Sequence, residues 1–309
     1  MGEVLLTGRM LQSAEDALDE AFTVHRLRDA PDRDAFLAEH GERITAIASG
    51  NGADRALIEA LPNLGAIAHF GVGYDPVDVV AAKERGVRVT NTPDVLNDAV
   101  AEMTLGLMLA LCRRIPQADE YVRAGKWEQG SYPLTAELTG ATVGVLGLGR
   151  IGQEVARRCQ AMKMRVAYHG RTEQPYQPFE YYADLTEMAR AADWLVVIVP
   201  GGGATKHLVN REVIEALGPE GSLVNVARGS VVDQDALVKA LGDGTLGGAA
   251  LDVFADEPQV PEALRDMDNV VLSPHAGSAT RKTRWAMGDL VVRNLKAFMA
   301  DEPLITPVV

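Results

Sequence analysis

Three residues of different chemistry stand just after three successive candidate strands. Arg228 follows Asn225, Val226 and Ala227 and precedes Gly229. Glu257 lies in the stretch from Asp252 to Pro258, and His275 sits in Ser273, Pro274, His275, Ala276, Gly277. A guanidinium stays charged and meets a carboxylate through two parallel hydrogen bonds, which lysine cannot reproduce. A carboxylate bonded to one imidazole nitrogen fixes the tautomer and favours the imidazolium, so that the other nitrogen can give up a proton near neutral pH. Such a set suits reduction of a 2-keto acid, where the carboxylate must be anchored, the carbonyl polarised and the new alkoxide protonated. Taken singly, Arg228 also reads as a surface arginine beside a turn glycine, Glu257 as an acid ahead of a proline, and His275 as a capping or core histidine. Their joint placement favours the chemical reading. His25, His40, His69, His169 and His207 lack a comparable carboxylate partner and show no metal-ligand spacing, which marks them as structural or exposed.

A glycine-rich turn supplies the second ingredient of such a reaction. Gly147, Gly149 and Gly152 form G-x-G-x-x-G with Arg150 and Ile151 inside it, after a strand that begins at Thr142 and at the start of a helical stretch. The first glycine permits the tight turn, the second lets the backbone approach a pyrophosphate, and the third lets helix and strand pack closely. The motif in this setting predicts a dinucleotide site. Sites that prefer NAD carry an acid about twenty residues further on to hold the ribose 2′-hydroxyl. Here the next strand ends in His169, Gly170, Arg171, Thr172. The acid is missing, and Arg171 with the Thr172 hydroxyl suits a 2′-phosphate, so NADPH is the expected cofactor, with NADH as the alternative if Arg171 is only a solvated loop arginine. Earlier in the chain, Gly71, Val72, Gly73, Tyr74 and Asp75 follow another candidate strand. Their glycines allow successive N–H groups to converge on an anion, which would let Val72 and Gly73 hold a substrate carboxylate; the alternative is a turn and nothing more.

Short apolar runs alternate with helical stretches almost throughout, the mark of an α/β protein with parallel sheets. Residues 4–6, 23–27, 44–48, 64–70 and 87–90 read as the strands of a small doubly wound sheet. A second series starts at Thr142 and continues through 165–169, 194–199, 222–226, 249–253 and 270–272, giving a six-stranded sheet. Residues 97–114 and 281–300 read as long helices that carry the chain between two domains. The first domain is then discontinuous, 1–96 with 283–309, the second spans 97–282, and the cleft between them is the natural ligand site. No apolar run approaches membrane length, and no basic stretch followed by an apolar one opens the chain, so a cytoplasmic protein is expected. The formal charge of −13 without a basic cluster argues against nucleic acid and anionic membranes. Cys112 and Cys159, far apart and outside any metal or redox spacing, read as buried reduced thiols.

In these motifs, in their order and in their spacing, the chain resembles the D-isomer-specific 2-hydroxyacid dehydrogenase family over essentially its whole length. The resemblance implies a Rossmann nucleotide-binding domain beside a discontinuous flavodoxin-like substrate domain. Arg228, Glu257 and His275 fall on the family's catalytic positions. Val72, Gly73, Arg228 and His275 are implied to touch the substrate. The glycine turn, Gly170, Arg171, Thr172, Pro200, Thr205, Val226, Ala227, Asp252 and Gly277 are implied to touch the cofactor. Within the family, residues 126–135, the turn at Pro200, Gly201 and Gly202, and the ending from Leu304 to Val309 look most like the glyoxylate/hydroxypyruvate and hydroxyphenylpyruvate reductases, which points to NADPH. It also implies a homodimer joined through the nucleotide-binding domains, with residues 124–138 in the arm near the partner. Two sister groups fit less well: serine-pathway phosphoglycerate dehydrogenases carry a further C-terminal domain and an acid after the second strand, and formate dehydrogenases have Gln where Glu257 stands. An NAD-dependent relative and a nucleotide-sensing corepressor on the same fold are the rival expectations.

Overall fold

The computed structural model describes residues 2–309. It divides into two compact units, one made of residues 2–96 with Ala279–Val309 and the other of Asn97–Ser278. Each is an all-parallel sheet with helices between its strands, as expected for apolar runs that are buried on both faces.

The first unit contains β1 (Glu3–Leu6), β2 (Thr23–Arg26), β3 (Ile44–Ser49), β4 (Ala66–His69) and β5 (Arg88–Thr90). Their spatial order is β2-β1-β3-β4-β5, the arrangement of a flavodoxin-like sheet. Strands β3 and β4 are buried along almost their whole length. The Arg281–Met299 helix returns the chain to this unit and packs against the Gln12–Ala21 helix, where Gly288 leaves room for Ala14; a Cβ at 288 would lie 2.3 Å from the Ala14 Cβ. Buried Asn294 on that helix then pins the C-terminal tail. Its Oδ1 accepts from the Ile305 and Thr306 N–H groups, and its Nδ2 donates to Leu290 O and Thr306 Oγ1. The tail ends beside β5, with Val308 N–H donating to Val89 O at 2.7 Å.

The second unit contains β6 (Thr142–Leu146), β7 (Arg165–His169), β8 (Glu180–Tyr182), β9 (Trp194–Val197), β10 (Ser222–Asn225), β11 (Gly248–Leu251) and β12 (Val270–Leu272). The order is β12-β11-β10-β9-β6-β7-β8, a Rossmann sheet extended by one strand. Seven strands stand where six are expected from sequence. The extra one, β8, is a three-residue edge strand, Glu180, Tyr181 and Tyr182, which pairs only with β7. A short, partly exposed, polar edge strand has no apolar run to announce it. The chain reverses its direction of growth between β6 and β9, so the carboxyl ends of these two strands form the switch point at which open α/β sheets bind ligands.

The long helix expected over 97–114 spans Asn97–Cys112. Arg114, with φ of 50°, turns the chain into a separate Ile115–Arg123 helix that buries none of its residues. Among the described residues no helix is long and apolar enough to cross a membrane, and no cluster of three His, Cys, Asp or Glu side chains forms a metal site. Both cysteines are buried free thiols, and burial pushes the Cys159 thiol up to about 12.

Candidate active site

The glycine turn lies at the switch point of the second sheet. Gly147 has φ of 102°, and a Cβ there would lie 2.8 Å from Val199 Cγ1 and 3.0 Å from Ile198 O, the residues that follow β9. A Cβ at Gly152 would fall 2.1 Å from Gly147 O, so the helix that starts at Arg150 can reach the turn only with glycine there. Gly149 differs from both: no atom lies within 4 Å of the place its Cβ would occupy. Two glycines are thus required by the protein's own packing and one borders open space at a helix start, which fits a pyrophosphate cradle.

Arg228 follows β10 in a turn held by Asn225, whose Oδ1 accepts from Ala227 N–H and whose Nδ2 donates to Arg228 O. The neighbouring Gly229 is required by contact: a Cβ would lie 1.9 Å from the carbonyl carbon of Phe254. Arg228 and the loop after β11 that carries Glu257 are therefore pressed together by backbone. Glu257 takes the Phe254 N–H on Oε1 at 3.0 Å and the His275 Nδ1 on Oε2 at 2.7 Å. Burial pushes the Glu257 carboxyl up, but the hydrogen bonds from His275 and Phe254 and the charges of His275 and Arg228 outweigh it and hold the carboxyl below its ordinary value. With Nδ1 committed to Glu257 and the His275 side chain 44% exposed, Nε2 is the nitrogen left to exchange a proton.

A third carboxylate organises the loop that presents His275. Asp252, 2% exposed, accepts from Ser273 Oγ at 2.6 Å, Ala276 N–H at 2.7 Å and Gly277 N–H at 2.8 Å, while its carbonyl accepts the His275 N–H. His275 is held with φ of 51°, a left-handed conformation uncommon outside glycine that the surrounding bonds must support. From sequence Asp252 reads only as a cofactor contact. In the structure most of its acceptor capacity is spent inside the loop, and Gly277 N–H is spent on it.

In the first unit, the loop of Gly71, Val72 and Gly73 after β4 is fixed through its carbonyls. Gly71 O accepts from Thr92 N–H, Val72 O from Asn91 Nδ2, and Gly73 O from His69 Nε2, whose Nδ1 meets Ser49 Oγ. Neither glycine has a positive φ, so the loop is not the alternating-handed nest that its glycines suggest. It still offers a donor: Val72 N–H finds no acceptor among the described residues. Buried His69 is a positioning element that the sequence does not disclose, because its partners Ser49 and Gly73 are brought to it by the fold.

The remaining sequence candidates fall around the carboxyl edge of the second sheet. Arg171 and Thr172 are exposed just beyond β7, and Gly170 is partly covered. Pro200 follows β9, its carbonyl accepting from Thr205 Oγ1 at 2.7 Å. Val226 and Ala227 are buried, and their N–H groups are bonded to Val197 O and Asn225 Oδ1. Any contribution of theirs to a bound ligand runs through carbonyls.

The sequence profile of the D-isomer specific 2-hydroxyacid dehydrogenase NAD-binding domain matches residues 105–277. The chain belongs to this family. It is 48% identical to hydroxyphenylpyruvate reductase of Plectranthus scutellarioides, over 99% of this chain and 98% of the relative, and 47% identical to glyoxylate/hydroxypyruvate reductase A of Arabidopsis thaliana with the same coverage. Among solved structures, it matches the NADPH-dependent glyoxylate/hydroxypyruvate reductase of Sinorhizobium meliloti in complex with NADP and malonate. That match has a TM-score of 0.96 and 46% identity, covering 100% of this chain and 97% of the other. A 2-hydroxyacid dehydrogenase of Ketogulonicigenium vulgare matches with a TM-score of 0.94 at 50% identity, covering 100% and 99%. As a member of the family, the chain is an NAD(P)-dependent oxidoreductase.

Proposed function

We propose that the protein reduces a small 2-keto acid of the glyoxylate, hydroxypyruvate or aryl-pyruvate class to the D-2-hydroxy acid, with NADPH as preferred cofactor. The observation that carries this reading is the Glu257–His275 pair beside Arg228, with Nε2 uncommitted. The nicotinamide cofactor, when bound, supplies the hydride that adds to the keto carbon. His275 Nε2 gives its proton to the keto oxygen, and Glu257 stabilises the imidazolium and fixes the ring. Arg228 polarises the carbonyl and compensates the negative charge that develops on oxygen. Val72 and Gly73 present backbone to the substrate carboxylate. Asp252 keeps His275 aimed by tying down residues 273–277.

Cofactor choice rests on Arg171, exposed after β7 with no acid at the strand end. The homodimer we infer forms through the second unit. No residue of its Ile115–Arg123 helix is fully buried, and Val122, Trp127 and Leu134 are exposed at 55%, 68% and 100%.

The deciding experiment is the loss of NADPH absorbance with glyoxylate, hydroxypyruvate, hydroxyphenylpyruvate and 2-ketogluconate, repeated with NADH and with Arg171→Ala. Turnover of at least one acid, faster with NADPH, and a preference that collapses in the variant support the reading. No turnover of any acid overturns the reaction; an unaltered preference in Arg171→Ala overturns the role of that residue. Sedimentation of the purified chain as a monomer would overturn the dimer.

A further inference from the structure

We propose that Arg284, on the first turn of the Arg281–Met299 helix, is a second substrate-binding arginine that pairs with the carboxylate of the 2-keto acid. The inference rests on the keto-acid reading above and adds to it a residue outside the Arg228, Glu257 and His275 set.

Arg284 is half-buried, yet no carboxylate or carbonyl accepts from it among the described residues. It lies instead over the face of Phe70, with the guanidinium carbon 5.4 Å from the ring centroid. The contrast with other half-buried arginines of the chain is sharp. Arg26, Arg28 and Arg158 are each bonded to Asp or Glu and are held above the ordinary arginine value, whereas burial holds Arg284 below it. A cation over an aromatic face recovers only about 0.5–2 kcal/mol and uses none of the five N–H donors, and no Arg284 nitrogen is among the fully buried atoms without a partner, so the fork stays open to a ligand from solvent. Nothing nearby in sequence neutralises it. The first turn of the helix contains Arg281, Lys282 and Arg284 and no acid. In a chain of net charge −13, this is a local excess of positive charge awaiting an anion from outside.

The identity of the anion follows from the neighbourhood. Phe70, the residue beneath the guanidinium, runs directly into Gly71, Val72 and Gly73, whose carbonyls are tied down and whose Val72 N–H lacks an acceptor among the described residues. A planar fork of donors and a backbone amide brought together by one aromatic residue match a carboxylate, which takes two parallel N–H donors and still has lone pairs for a third.

The test compares a keto acid that the wild-type protein turns over with its uncharged methyl ester. The proteins are wild type, Arg284→Gln and Arg284→Lys; the readouts are kcat, KM, the inhibition constant of oxalate and the NADPH dissociation constant. The expected result for Arg284→Gln is a KM for the acid and an inhibition constant for oxalate raised about ten- to a hundredfold, the range of a charge-assisted hydrogen bond. Ester kcat/KM and NADPH affinity stay at the wild-type level, and Arg284→Lys recovers part of the loss. Equal losses on acid and ester would show that Arg284 only packs against Phe70. Unchanged acid and oxalate constants, or a loss confined to NADPH, would equally overturn the assignment. A wild-type protein inactive on every acid would instead sink the reaction itself.

Discussion

At the scale of single residues, the site is an argument about which nitrogen is free. His275 Nδ1 is bonded to Glu257 and the ring is lodged on a left-handed residue, so the proton transfer proposed for His275 runs through Nε2. Replacing His275 or Arg228 with Ala should lower kcat by about two to four orders of magnitude while NADPH binding, followed by fluorescence titration, is retained. Near-normal turnover would remove those roles. Glu257 gives a prediction with a sign. Its carboxyl is held below the ordinary carboxylate value, so it remains ionised as pH falls through the usual range and is protonated only at lower pH. Activity that needs the ionised carboxylate should therefore persist below the ordinary carboxylate value, whereas the stability that Glu257 contributes is complete above that value and is lost as pH falls from it through the lowered one. A pH profile of kcat/KM with an acid limb at or above the ordinary value would contradict this. These three side chains were legible in the sequence because each follows a strand end and their chemistries complement one another. Asp252, His69 and Arg284 were less so. The work of each depends on a partner far away in sequence: the Ser273 hydroxyl and Gly277 amide, the Gly73 carbonyl, and the Phe70 ring.

At the scale of elements, the strands and the glycine turn were readable because a parallel strand buried on both faces is a continuous apolar run, and G-x-G-x-x-G has a mechanical reason at each glycine. What sequence misplaced was decided by weaker forces. Strand β8 forms by pairing with β7 without an apolar run of its own, and the break at Arg114 is made by a single residue in the left-handed region. The loops are less forgiving than the strands. Gly229 touches the Phe254 backbone, so Gly229→Ala must push the Arg228 turn away from the loop of Glu257. The expected cost is about 1–3 kcal/mol from overpacking, together with a fall in kcat. Thermal denaturation and turnover measured on the same sample check it: a variant of unchanged stability and kcat would show that the two loops can separate freely.

At the scale of the whole molecule, two parallel sheets share one chain, with the glycine turn, Arg228, Glu257 and His275 all inside Asn97–Ser278. A ligand that binds the native state at a hundred times its dissociation constant adds about 2.7 kcal/mol to stability. Hydrogen exchange with saturating NADPH should accordingly slow first in this unit, around β6, the turn after it and the Arg150–Ala161 helix, with β1 to β5 changing less. Protection that begins in the first sheet would relocate the nucleotide. The charge of −13 sets a further condition, since both proposed ligands are anions. Attraction must come from local groups such as Arg171, Arg228 and Arg284 rather than from the field of the protein as a whole.

The open space beside Gly149 separates two demands that usually arrive together. Gly147 and Gly152 could be explained by folding alone, since neighbouring atoms forbid a larger residue at either. No neighbouring atom forbids one at Gly149. A methyl group placed there by Gly149→Ala should leave the melting temperature of the ligand-free protein near that of the wild type and weaken NADPH by steric competition for the same volume. One substitution thus reports on the guest without disturbing the host, and equal damage to both would mean that this space has another tenant.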